Sequence, residues 1–184
     1  MTADRVQRLA AEIADLSPAE QARLYHMLGV QADRPLPEQL AFSPPPKPSP
    51  SPDYLLIFDG GSRGNPGFGF GSYTITRLRD GARRLKRLDL GESYTNNEAE
   101  YDTLIAALED LIGCIEKAGR RPEEFSIEVR GDSALVINQV SGRWKAREPR
   151  MEERRDRCRE LLARFKAATL KTQPRAESVR VLGH

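Results

Sequence analysis

Residues 53–69 read DYLLIFDGGSRGNPGFG, and this stretch decides the fold. Tyr54, Leu55, Leu56, Ile57 and Phe58 form a continuous apolar run, the pattern of a central strand covered on both faces. The run ends on Asp59, and the segment GGSRGNPGFG after it is so rich in Gly, Ser, Asn and Pro that it reads as a turn region. An acid at the carboxyl end of a buried strand stands where open α/β sheets place their chemistry.

Working outward toward the C-terminus, two further β-like stretches run over 69–77 and 82–91, with Asp80-Gly81 between them as a hairpin turn signal. A helix is expected over 97–118. Tyr101, Leu104, Ile105, Leu108, Leu111, Ile112 and Ile115 share one face, and Gly119 stands at the stop. Residues 125–130 alternate, with Phe125, Ile127 and Val129 on one side, as a strand buried on one face does. A short helix over 133–140, a longer one over 150–168 and a last strand over 179–182 complete the reading. The order β-β-β-α-β-α-α-β predicts an α/β domain over 53–184, a mixed five-stranded sheet with helices on both faces.

Upstream of this domain, apolar positions at Val6, Leu9, Ile13, Leu16, Leu24 and Leu28 predict a small helical hairpin over 1–32. Ser17 and Glu20 suit a capping box, Pro18 the first helical position and Gly29 a stop. Such a hairpin is too small to be stable alone, so residues 1–30 are a candidate docking element, for a protein partner or for self-association. Residues 33–52, ending in SPPPKPSPSP, read as a Pro-rich linker.

The 184 residues are 39% hydrophobic and 30% charged, with no apolar run of membrane-spanning length and no secretory-type core near Met1, so a soluble cytoplasmic protein without membrane contact is expected. Cys114 and Cys158 have no partner at metal-ligand spacing and read as buried thiols. The formal net charge is only +2, so any case for an anionic partner rests on where the charge lies. Arg77, Arg79, Arg83, Arg84, Lys86 and Arg87 crowd the second and third strands, and 145–171 is rich in Arg and Lys. Some of these bases have acids within reach on their own helix, at Glu152, Glu153, Asp156 and Glu160. The remainder are suited to tracking a phosphate backbone.

Asp59, Glu100 and Asp132 each stand at the end of an element. Singly, such acids are ordinary turn and helix-dipole residues. Together, clustered carboxylates without His or Cys are the donors that magnesium takes, and hydrolysis of a phosphodiester by two metals held roughly 3.5 to 4 Å apart needs such a cluster.

The strings FDGGSRGNPG at 58–67, TNNEAEY at 95–101 and GDSALVINQ at 131–139 resemble, in order and spacing, the leading motifs of the type 1 ribonuclease H family, over about Tyr54 to His184. The resemblance implies a ribonuclease H-like fold. It also implies endonucleolytic cleavage of the RNA strand of RNA/DNA hybrids, leaving 5′-phosphate and 3′-hydroxyl ends. Asp59, Glu100 and Asp132 would hold magnesium, or manganese, as two ions with substrate bound. In this family the motif acid of the second string is its last, so the role falls on Glu100 and Glu98 is left as a capping or surface acid. Gly60, Gly61, Ser62, Asn65, Asn96, Asn97 and Gln139 would follow the hybrid's minor groove, where amides and main-chain groups can read a 2′-hydroxyl. Trp144 resembles the family's aromatic at the start of the substrate-facing region. Transposases, integrases and junction resolvases share the architecture, and the paired Asn residues with the Gly-rich first motif favour hybrid cleavage over these. The family's fourth acid lies beyond the last strand, and the expectation is that His184 falls before it, in the loop where bacterial members carry a histidine for proton transfer or product release. A domain short of that acid would be an enzyme working with three carboxylates, a piece of a longer chain that carries the fourth, or a weak, hybrid-binding relative.

Overall fold

The apolar run becomes the middle strand of five. In this computed structural model the described residues are Glu20, Met27 and 51–183. The expected hairpin and linker lie outside them, apart from Glu20, Met27 and the last two linker residues, and so does His184. Strand β1 (Tyr54–Gly64) pairs antiparallel with β2 (Gly67–Arg77), which pairs antiparallel with β3 (Ala82–Tyr94). On its other side β1 runs parallel to β4 (Ser126–Gly131), and β4 parallel to β5 (Ala167–Thr172). The sheet order β3-β2-β1-β4-β5 leaves β1 paired along both sides at the centre of the sheet, the place of a continuous apolar strand.

The Gly-rich segment after Phe58 was expected to turn, yet β1 continues through it to Gly64, in register with Gly67–Tyr73 of β2. The turn falls at Asn65-Pro66, opened by Gly64 at φ +98, and the glycines before it serve proximity. A Cβ on Gly60 would stand 2.5 Å from the Ala99 carbonyl oxygen and 2.7 Å from Glu100 Cα, so only glycine lets β1 touch the first turn of the next helix.

That helix, α1 (Asn96–Lys117), starts from a capping box: Glu98 N–H donates to the Thr95 hydroxyl, and the Glu98 carboxylate accepts from Thr95 N–H. Its apolar stripe, with Leu104, Ala107 and Leu108 fully buried, packs on β1 and β2, each leucine contributing on the order of 2 kcal/mol. Helices α2 (Ala134–Val140) and α3 (Pro149–Ala163) lie against the same core. The last helix, α4 (Arg175–Leu182), lies on the opposite face. Neighbouring β3 side chains show this, since Arg84 reaches Asp110 of α1 while Arg83 donates to the Val181 carbonyl of α4.

Two expectations need correction. The helix expected to reach 168 ends at Ala163, and the last strand is Ala167–Thr172 rather than Val179–Leu182, which is helical. Val-Arg-Val-Leu alternates like a strand, but the buried residues of this segment are Ser178 and Leu182, four apart on one helical face. β5 carries little periodicity of its own, with only Leu170 packed against the core, and exists because β4 offers it a parallel ladder from Ser126↔Ala167 to Gly131↔Thr172. Of the two cysteines Cys158 is fully buried, and burial pushes its thiol well up, whereas Cys114 is only partly covered and meets Arg84 Nη2 at 3.0 Å.

Candidate active site

The parallel pairing of β1 and β4 stops at Phe58↔Gly131, and there, at one end of the sheet, the chain meets the first turns of α1 and α2. β1 delivers Asp59, 5% exposed, and the close approach at Gly60 sets Glu100 of α1 beside it. Both line a cavity of about 680 Å³ together with Gly60, Gly61, Ser62 and Asn96. Asp132 follows β4 directly and lies near enough to oppose the ionisation of Glu100. At the other end of the sheet, a second cavity of about 500 Å³ has Asp53 as its one acid, held by Ser126, and offers no carboxylate cluster.

Glu100 reports the electrostatics of the cluster. Burial above all, then the charges of Asp132 and Asp59, push its carboxyl up to about 7, against the opposing hydrogen bond from Ser133 and the charge of Arg175. Among the described residues no three acid, His or Cys groups close into a ready-made metal cage. An open cluster of three carboxylates suits magnesium or manganese, which keep much of their water and take few protein oxygens, and does not suit zinc.

Two residues that the motifs did not single out belong here. Ser133 Oγ donates to Glu100 Oε2 at 2.5 Å, and Arg175 of α4 lines the cavity with its Nη1 3.4 Å from Asp132 Oδ2. Ser133 carries a sequence signal, an N-cap residue next to Asp132. Arg175 carries none until the last strand is placed at Ala167–Thr172, which makes 173–183 the segment beyond it. The acid of that segment, Glu177, is exposed and pairs with Arg180, so α4 brings an arginine rather than a carboxylate to the cluster.

The groove residues interlock. Asn96 Oδ1 accepts from Ser62 N–H at 2.8 Å and Asn65 Oδ1 from Asn96 N–H at 3.3 Å, which leaves both Asn amide groups as donors at the surface, beside exposed Asn97. The Ser62 hydroxyl is enclosed without a partner. Gln139 points the other way: it is 8% exposed, accepts from the Tyr101 hydroxyl at 2.7 Å and donates to the Lys145 carbonyl, so it braces the loop carrying Trp144. Trp144 itself is 52% exposed. Glu98 is the buried capping acid, joined by Arg150 at 3.0 Å.

The basic helix is mostly self-neutralised. Arg154 pairs with Asp102, Arg157 with Glu109 and Arg164 with Glu116, a seam joining α3 and its C-terminal end to α1. Among the described residues, Arg63 and Arg87 stand at the cavity wall without ion pairs, Arg63 stacked over Phe70, and Arg143, Lys145 and Arg147 flank exposed Trp144 without ion pairs.

The reverse transcriptase-like family model matches residues 58–181. Ribonuclease HI of Halobacterium salinarum is 40% identical over 123 residues, 67% of this chain and 57% of that protein. A bifunctional protein of Mycobacterium tuberculosis is 36% identical over 127 residues, 67% of this chain and 32% of its own length. The chain thus spans roughly a third to just over half of these curated relatives. Among solved structures, RNase H1 of Halobacterium salinarum superposes with a TM-score of 0.59 at 38% identity, over 69% of this chain and 89% of that one. LC11-RNase H1 in complex with an RNA/DNA hybrid superposes with a TM-score of 0.61 at 32% identity, over the same shares of the two chains.

Proposed function

This chain belongs to the type 1 ribonuclease H family, and from that premise we propose that it cleaves the RNA strand of RNA/DNA hybrids in a divalent-metal-dependent reaction. The observation that carries the proposal is the meeting of Asp59, Glu100 and Asp132 at one end of the sheet, where Asp59 and Glu100 line one cavity and Asp132 lies near enough to oppose the ionisation of Glu100. These three would hold magnesium or manganese, two ions with substrate bound, supplying an activated water and charge stabilisation at the leaving oxygen.

The chain's own groups account for binding and choice of substrate. Asn65, Asn96 and Asn97, with the main chain of Gly60, Gly61 and Ser62, present donors and acceptors to the minor groove, where the 2′-hydroxyl marks the RNA strand. Arg63 and Arg87 at the cavity wall, and Arg143, Lys145 and Arg147 around exposed Trp144, supply positive charge and a stacking face to the backbones. Gln139 acts from below, through the loop it braces. Arg175, paired with Asp132, sets a positive charge against the carboxylates. No helix among the described residues is long and apolar enough to cross a membrane, and the proposed place of action is the cytoplasm.

The test is cleavage of a labelled RNA/DNA hybrid by the 184-residue chain with magnesium or manganese, beside double-stranded DNA and double-stranded RNA. Metal-dependent cleavage of the hybrid's RNA strand, abolished in Asp59→Asn, is the expected result. A hybrid left intact with either metal refutes the proposal.

A further inference from the structure

We propose that Ser133 is a positioning residue: its hydroxyl holds the Glu100 carboxylate in the orientation that receives the divalent ion, and it does so because helix α2 fixes the direction of its proton. The proposal rests on the metal-dependent function proposed for the carboxylate cluster. A serine hydroxyl has one proton to give and lone pairs to receive. Here the receiving side is occupied at the N-cap of α2, where Oγ accepts from Val136 N–H at 3.3 Å. The rotor is thereby set, and the one proton goes to Glu100 Oε2 at 2.5 Å, the length of a charge-assisted O–H···O bond.

Capping alone does not explain this arrangement. A helix N-cap needs an acceptor, and the donor half of the hydroxyl is free to go to water. It goes instead to a carboxylate whose charged form is disfavoured by burial and by two neighbouring acids. Ser133 also follows Asp132 directly, so one dipeptide supplies one acid from the end of β4 and orients a second from α1. The carboxylate so held belongs to the residue that lines the cavity with Asp59.

The experiment titrates Mn²⁺ into the metal-free full chain, with free Mn²⁺ followed by electron paramagnetic resonance. Ser133→Gly removes the hydroxyl while remaining an acceptable N-cap. The expected result is a 10- to 100-fold loss of Mn²⁺ affinity, the range for partners that orient a metal ligand. Ser133→Thr, which keeps the hydroxyl, is expected to restore affinity to within about threefold of the parent. In a Glu100→Gln background Ser133→Gly is expected to change Mn²⁺ affinity no further, a non-additivity that general loosening of the fold would not produce. Parental Mn²⁺ affinity in Ser133→Gly, failure of threonine to rescue, or additive losses in the double variant each overturn the proposal. Failure of the functional reading looks different: the parent would bind Mn²⁺ in a Ser133-dependent way and leave the hybrid uncut.

Discussion

Replacing Gly60 with alanine tests whether the contact between β1 and α1 builds the site. The new Cβ would stand 2.5 Å from the Ala99 oxygen, 2.6 Å from its carbonyl carbon and 2.7 Å from Glu100 Cα, all backbone atoms that no rotamer change can move. Ordinary contact begins near 3.4 Å, so strand and helix must separate by about 0.9 Å at the point where Asp59 and Glu100 face one cavity. Overpacking against backbone belongs at the upper end of its range, about 3 kcal/mol, which lowers a urea midpoint by about 1 M or more. A displacement of that size at a reacting centre costs about a hundredfold in rate. Gly113 provides the contrast: it lies within the same helix with nothing near its missing Cβ, so Gly113→Ala is expected to raise stability by about 0.5–1 kcal/mol and leave cleavage unchanged. Urea unfolding and single-turnover hybrid cleavage on both variants make the comparison. A Gly60→Ala chain that unfolds at the parental midpoint, or cuts at the parental rate, refutes the reasoning.

Asp59→Asn is expected to abolish hybrid cleavage while leaving hybrid affinity within about threefold, checked by anisotropy in the presence of calcium; parental cleavage would remove Asp59 from the site. Because Glu100 is raised to about 7 in the fold from an ordinary 4.5, its contribution to stability in the metal-free chain is fully present below about pH 4.5 and lost as pH rises through 7. That loss is on the order of 3 kcal/mol, so the stability of Glu100→Gln relative to the parent should rise between pH 4.5 and 8, and a pH-independent difference in urea midpoints would contradict this. Glu98→Ala removes the capping box and strands Arg150, with an expected cost of about 1–2 kcal/mol by thermal or urea unfolding; a change under about 0.3 kcal/mol would show the cap to be idle. Hybrid affinity is expected to fall with rising salt through Arg63, Arg87, Arg143, Lys145 and Arg147, and Lys145→Ala should flatten that dependence more than Arg157→Ala, whose charge is already spent on Glu109.

Much of this molecule was legible before any coordinate. Local chemistry sufficed for the continuous apolar run of β1, the heptad-like stripe of α1 from Tyr101 to Ile115 and the Asp80-Gly81 hairpin, whereas the Thr95–Glu98 cap came only with the fold. The three acids could be named because the strings that carry them, FDGGSRGNPG, TNNEAEY and GDSALVINQ, resemble the motifs of a known family; the fold itself carries Asp59 into the middle of β1, which runs on to Gly64. β5 and α4 were misplaced for one shared reason: neither has a pattern that outweighs its surroundings. Ala167–Thr172 is a strand only because Ser126–Gly131 lies alongside it, and Arg175–Leu182 is a helix although its last four residues alternate like a strand.

Polar side chains were harder to assign than apolar ones, since their partners are distant in the chain. Gln139 turns inward to Tyr101, 38 positions away, and Arg154 spends its charge on Asp102, 52 positions away. The amino-acid sequence by itself determined which residues carry charge, which elements bury an apolar face, and which acids lie in the three motif strings. Only the tertiary structure decided that Arg175 stands beside Asp132, that the Ser133 proton goes to Glu100, and that the arginines of α3 bind their own protein. Periodicity is a property of neighbours along the chain, whereas a hydrogen bond or an ion pair belongs to groups that only the folded backbone brings within about 3 Å of each other.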